Sequence, residues 1–281
     1  DNSPDGRVKK IVDKFNAEEQ LSIRYVRETQ AGLHSARHAG AREAAGEILV
    51  YVDDDVLTPF DWLTAITRPF QHQQVGCAGG KNILKFETEP PSWYAHFNGG
   101  GLSKLDLGNE VLELKYPGIW GCNMAVRKNV FYEVGGANVD SFGDPELIWF
   151  SGDGECGLQE KIHRAGYKII YDPKAWLYHR IPESRLKPEY FYTRWVFAGI
   201  LDSYGRVRRL HKKPFFYLRL MAYSLFSFFM AARKHVYSLI FLEKKIKLKA
   251  DAFRWYATAQ HQIRTVFSKR LRDHVLRESY L

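Results

Sequence analysis

The stretch ILVYVDDDV, residues 48–56, constrains this chain most: five apolar, β-branched or aromatic residues run directly into Asp53, Asp54 and Asp55. Such a run reads as a strand buried on both faces in a parallel sheet, and the carboxyl end of such a strand is where open α/β sheets bind ligands. Adjacent carboxylates repel one another and are costly to bury without a cation. Strand alternation puts Asp53 and Asp55 on one side and Asp54 on the other, so an Asp-x-Asp pair could share a divalent cation. The competing explanation is a solvated acidic turn that caps a following helix at Thr58 and Pro59.

The surroundings of this run are those of a sheet with crossover helices. LSIRYV (21–26) predicts a strand, SARHAGAREAAG (35–46) a helix, DWLTAITRPF a helix and VGCAGGKNIL an extended segment. Residues 86–116 are aromatic and glycine-rich without a clear period, as functional loops often are. IWGCNMAVRK (119–128) resumes the pattern; GGANVDSFGDPEL predicts turns, SGDGECGLQEKIHRAG (151–166) a helix behind Ser151 as N-cap, and YKIIYDP and AWLYHR strands. A phospho-accepting receiver domain also ends a strand in paired acids. Here a βα unit precedes the acids, and neither a phospho-acceptor strand nor a later Lys is recognisable. After residue 185 only helical patterns remain, which places a boundary there.

At 281 residues, 45% hydrophobic and 26% charged, the chain has the composition of an ordinary folded protein. Cys77, Cys122 and Cys156 are far apart and form no CxxC or Cys/His cluster, which argues against a disulfide framework or structural zinc and for a reducing compartment. The opening DNSPDGR reads as a turn such as follows a strand, so the chain has the look of one that starts after a missing strand.

Two further constellations bear chemistry. Asp153 and Glu155 lie in the first turn of a predicted helix, where acids complement the helix dipole; a carboxylate in that glycine-flanked turn also suits a general base. His179 ends a predicted strand, where a packed imidazole is commoner than a ligand.

In order, DNSPDG, ARHAGAREAAGEILVYVDDD, GCNMAVRKNVFYEVGGANV and SGDGECGLQEKIHRAGYKIIYDPKAWLYH closely resemble the successive motifs of family 2 glycosyltransferases with the GT-A fold. The resemblance covers residues 1–182. It implies an α/β domain over 1–185, with a mixed, mostly parallel sheet lacking the family's first strand and helix. It also implies inverting transfer of a sugar from a nucleoside-diphosphate donor (UDP, GDP or dTDP) to an acceptor hydroxyl, with Mn2+ or Mg2+ as cofactor. Asp1 then falls on the acid that contacts the nucleobase, and Arg37, Asp53, Asp54 and Asp55 on the donor side. Asp53, Asp55 and His179 fall on the metal site, Asp153 on the catalytic base, and Glu155 on the acid after it. Trp120, on the loop from Trp93, falls on the acceptor side. Gly152 stands where the family usually has Glu, Cys156 where Leu is common, and His38 where Asn is familiar.

The remaining charge points to an anionic surface. The net charge is +9, and GRVRRLHKKP (205–214) and EKKIKLKA (243–250) bracket the apolar FFYLRLMAYSLFSFFMAA (215–232). That stretch is short for a bilayer span, contains Arg219 and is basic on both flanks, so the expectation for 186–281 is a helical extension lying on an anionic membrane surface, at the cytoplasmic face of the cell membrane. A bilayer span and simple packing are the alternatives. No RNA-binding motif accompanies the charge, so nucleic acid is not expected as a partner. A lipid-linked or polysaccharide acceptor would agree with this placement. From another class, a non-catalytic sugar-nucleotide or membrane-binding module would also carry these features.

Overall fold

The acid triplet sits at the junction of two sheets. In the computed structural model, which describes residues 1–3, 5–19, 22–139 and 145–281, β1 (Ile48–Val52) leads through the turn at 53–55 into β2 (Val56–Leu57). The first sheet has the order β1-β6-β3-β7-β5, with β3 at Val75–Gly79, β5 at Leu112–Glu113, β6 at Asn123–Arg127 and β7 at Lys168–Tyr171. The second has the order β2-β8-β4, with β4 at Asn82–Phe86 and β8 at Leu177–Ile181. Among the described residues only β3–β7 and β4–β8 pair in parallel; the other pairings are antiparallel. The sheet is therefore mixed, as expected, but its balance is antiparallel, because β6 inserts antiparallel between β1 and β3.

Burial follows the order of the strands. Every residue of β3 and β6 is buried, whereas β1, which among the described residues pairs only with β6, buries Leu49, half-buries Ile48, Val50 and Tyr51 and exposes Val52. The expectation of a parallel strand buried on both faces is thus corrected: residues 48–52 form an antiparallel edge strand whose apolar run packs Leu49 inward. The strand expected at 21–26 is not formed over the described residues 22–26 either. That segment is tied to the first residues by the Asp1 amino group on the Val26 carbonyl (3.0 Å) and Glu28 N–H on the Asp1 carbonyl (2.9 Å), too few bonds for a ladder. The other expected strands form, the helix expected over 35–46 runs from Leu33 to Glu43 as α2, and the turns expected at 140–144 lie outside the described residues.

Asn123 ties the two sheets together. Its Oδ1 accepts from Trp62 Nε1 (3.0 Å), and its Nδ2 donates to the Ala175 carbonyl (2.7 Å) and Asn82 Oδ1 (3.0 Å), all in the buried interior. Around it, α1 (Arg7–Glu19), α2, α3 (Trp62–Thr67), α4 (Lys128–Glu133) and α5 (Gly154–Arg164) complete the α/β part. Beyond Pro188 the chain is helical: α6 (Pro188–Leu210), α7 (Phe216–Ile240), α8 (Lys245–Phe267) and α9 (Lys269–Leu276). Phe191 and Trp195 of α6 pack with Tyr94, Phe97, Leu102 and Ile181, so the helices share an apolar core with the second sheet. Helix α6 approaches α8 closely because a side chain at Gly199 would come within 2.1 Å of the Arg254 carbonyl oxygen.

Replacing Asn123 by Ala leaves the Trp62 donor and the Ala175 carbonyl buried and unpaired. The expected cost is about 2–4 kcal/mol in urea unfolding. A loss below about 0.5 kcal/mol, the range of an inert surface change, would contradict this role.

Candidate active site

The turn at 53–55 bends the chain, so strand alternation does not govern the three acids. Pairing of β2 with β8 sets Val56 opposite His179, and the Arg180 N–H donates to the Asp55 carbonyl (2.8 Å). Asp55 Oδ1 consequently lies 3.3 Å from His179 Nε2, while Asp55 Oδ2 contacts Arg185 Nη2 at 2.7 Å. His179 Nδ1 donates to the Leu102 carbonyl (2.9 Å), which leaves the Nε2 lone pair directed at Asp55 and Arg185. Asp53 turns to Arg37 (3.4 Å), and Asp54 is exposed.

These contacts test the expected metal site. Asp55 Oδ1 is buried without a hydrogen-bond partner, and it sits beside an imidazole lone pair at the spacing of two neighbouring ligands on one small cation. That pair fits a divalent ion. The three-residue set does not come together as expected: among the described residues no group of three His, Cys, Asp or Glu side chains is arranged to hold a metal. The reason is the bend, which hands Asp53 to Arg37 instead of aligning it with Asp55.

Across the cavity lies the second acidic turn. Asp153 itself, not Ser151, is the residue at the N-terminus of α5; Ser151 Oγ donates to the Ile148 carbonyl instead (2.9 Å). Gly154 has a φ of +49°, and a side chain there would come within 1.9 Å of His34 Nε2, so the glycine is required both by conformation and by space. Asp153 Oδ1 accepts from Asn138 Nδ2, and Asn138 Oδ1 accepts from Lys161 Nζ at 3.2 Å. Burial raises the Asp153 carboxyl to about 6, against the opposing pull of Asn138 and Arg208. Burial also lowers Lys161 to about 8.

Glu155 is held differently. It lies 3.4 Å from His34 Nε2 and 3.5 Å from Arg37 Nη1. Burial alone would raise its carboxyl, but His34, Arg37 and backbone N–H groups at Glu155 and Gly121 outweigh it and hold it below the usual range. Burial drives His34 down to about 4 despite Glu155, so at neutral pH Arg37 is the charge that balances Glu155. Two carboxylates two residues apart therefore differ in kind: Asp153 titrates near neutrality, and Glu155 stays ionised.

A cavity of about 310 Å³ collects Arg37, Asp53, Trp120, Asp153, Glu155 and His179 in one lining. Asp55 stands behind His179, while Asp1 and Asp54 are not part of it. The Asp1 carboxylate is engaged by Tyr25 Oη (2.7 Å) and the Ser3 N–H (2.8 Å). Trp120 is pinned through Nε1 to the Lys104 carbonyl (3.2 Å). Sequence reasoning missed Arg185, and it missed Arg194, Tyr190 and Phe197, which bring α6 to the cavity wall. It also missed Asn138, Lys161 and Arg208 behind Asp153. The signal for Arg185 was available in part, six residues after His179 at the end of a strand.

Residues 1–135 match the model described as glycosyl transferase family 2. That match covers just under half of the chain. The match ends before Asp153, Glu155 and His179. Residues on both sides of the end of the match line the cavity. The chain is 23% identical over 208 residues to the succinoglycan biosynthesis protein ExoM of Rhizobium meliloti (strain 1021), covering 74% of this chain and 63% of that protein. It is 23% identical over 177 residues to the glucosyl-dolichyl phosphate glucuronosyltransferase of Haloferax volcanii, covering 60% of this chain and 54% of that protein. The chain thus spans less than two thirds of the length of either relative. Its fold is similar to the mannosyltransferase PcManGT from Pyrobaculum calidifontis, solved in complex with GDP-Man and Mn2+: TM-score 0.54, 18% identity, 95% of this chain and 76% of that one. The fold is GT-A.

The Asp153 carboxyl carbon, followed by NMR, should titrate at about 6, and Asn138→Ala, which removes a donor that favours the ionised form, should move it higher. An ordinary carboxylate midpoint near about 4 would contradict the burial argument.

Proposed function

We propose that this chain carries the catalytic part of an inverting glycosyltransferase. It would move a sugar from a UDP, GDP or dTDP donor to a hydroxyl of a lipid-linked or polysaccharide acceptor. The observation that carries this reading is one cavity lined by a near-neutral carboxylic acid, Asp153, and by His179, with Asp55 directly behind the imidazole.

Each residue has a distinct task. Asp153, ionised above a pH of about 6, takes the proton from the acceptor hydroxyl as its oxygen attacks the anomeric carbon. The bond from that carbon to the diphosphate breaks on the opposite face, and the configuration inverts. Asp55 and His179 would hold Mn2+ or Mg2+, which supplies positive charge to the leaving diphosphate. Arg37, cationic and buried over the Tyr51 ring at 5.8 Å, offers a second positive group on the donor side while keeping Glu155 ionised. Trp120 provides an aromatic face on the acceptor side.

The pH dependence follows in sign. Activity should rise with pH through about 6 and then level, because the base must be ionised. Stability should move the other way: a carboxyl raised in the folded state contributes stability that is present below its unfolded value and is lost as pH rises through about 6. Asp153→Asn should therefore abolish transfer, leave donor binding intact, and be more stable than wild type at neutral pH. Asp55→Asn should weaken Mn2+-dependent donor binding. Turnover and calorimetric binding of the UDP, GDP and dTDP sugars test both variants. Wild-type-like turnover by Asp153→Asn would remove it as base, and donor binding without any turnover by the wild-type chain would favour a non-catalytic module.

A further inference from the structure

Helix α7 divides into faces with different company. Leu220, Ser224, Ser227, Ala231 and Ser238 form a buried stripe of mostly small residues, and α7 packs along α8. On the far side Leu218, Met221, Leu225, Phe229, Val236 and Ile240 follow one another at steps of three, four, four, seven and four residues, with exposures from 39% at Met221 to 73% at Leu225. Phe241 and Leu242 continue that apolar face past the helix end, also exposed. Its length, from residue 218 to 240, is about 33 Å. A contiguous apolar strip of that kind is rare on a monomer unless something covers it.

The charge around the strip identifies the cover. Lys212 and Lys213 precede the helix, Arg219 and Arg233 lie on it, and Lys244 and Lys245 follow it. All six are exposed, and among the described residues none pairs with a carboxylate. Glu243 is the only acid between residues 212 and 245. A second copy of the chain laid on this strip would bring the same cations together. No helix among the described residues is long and apolar enough to cross a membrane.

We propose that α7 docks in the plane of an anionic lipid surface, with Leu218, Leu225, Phe229 and Ile240 in the acyl boundary and the flanking Lys and Arg side chains among the head groups. On the side away from lipid, α8 links α7 to α6, which contributes Tyr190, Arg194 and Phe197 to the cavity, so docking would hold the cavity at a fixed station above the membrane. This placement, at the cytoplasmic face in a reducing compartment, does not depend on the transferase reading.

Co-sedimentation of the full chain with vesicles tests it. Wild type should bind vesicles containing about one-third phosphatidylglycerol in phosphatidylcholine and bind pure phosphatidylcholine at least about tenfold more weakly, with the difference lost at high salt. The double variant Leu225→Glu with Phe229→Glu, both pointing to solvent and expected to keep wild-type circular dichroism, should lose at least about tenfold in partitioning. Lys212→Gln with Lys213→Gln should weaken binding at low salt only. Three results would overturn the proposal: no vesicle binding by wild type, equal binding of both lipid compositions, or a wild-type dimer in sedimentation velocity that the Leu225→Glu and Phe229→Glu variant dissolves.

Discussion

Balance of buried charge is the constraint on which the rest of this molecule depends. Asp53, Asp153 and Glu155 line one cavity with Asp55 behind its His179 wall, and each is stabilised by a cation or donor from another part of the chain: Arg37 for Asp53 and Glu155, Asn138 with Lys161 for Asp153, and Arg185 for Asp55. The strength of that compensation differs from one acid to the next. Glu155, beside Arg37, stays ionised; Asp153, held by a neutral amide with its cations further off, is poised near neutrality. The fold supplies this difference through two backbone details, the β2–β8 pairing that sets Asp55 against His179 and the left-handed Gly154 that lets His34 approach Glu155.

Much of this was legible in residue order, and the part that was not has a common cause. Short apolar runs such as VGCAG and NMAVR become buried strands, and the loss of strand signals after residue 185 coincides with the start of α6 at Pro188. Asp153 was singled out by its glycine-flanked turn together with its place in the family resemblance, and it lies in the cavity lining. The partners of each strand, by contrast, are set at long range. Residues 48–52 carry the composition of a central parallel strand, yet β6, some 75 residues later, takes one side of them antiparallel and the other side remains an edge. Residues 22–26 have strand composition but too few backbone partners to form a ladder.

The same reasoning explains why Asp53 and Asp55 meet different partners. Alternation along a strand predicts Asp53 and Asp55 on one side, but the strand ends at Val52 and the acids occupy a turn. Asn138 was invisible for a related reason: an asparagine in a glycine-rich loop has no local pattern, and it gains its role only from where α5 places Asp153, while the position of Arg185 just past a strand end was only a partial signal. The helical region shows the converse. Its apolar segment 215–232 was conspicuous in sequence, and in the fold only its stripe of mostly small residues packs inward, leaving the larger side chains outside.

The central claim is that the turn at Asp55 with His179 forms the cation and donor end of the Asp153 cavity. The most direct measurement is paramagnetic broadening of amide and imidazole NMR signals by Mn2+, with UDP, GDP or dTDP added in turn. Signals from Asp55, His179 and the neighbouring Arg180 should be lost selectively, with the surface of α1 unaffected. Broadening centred on another part of the molecule, or none with any nucleotide in a folded sample, would contradict it.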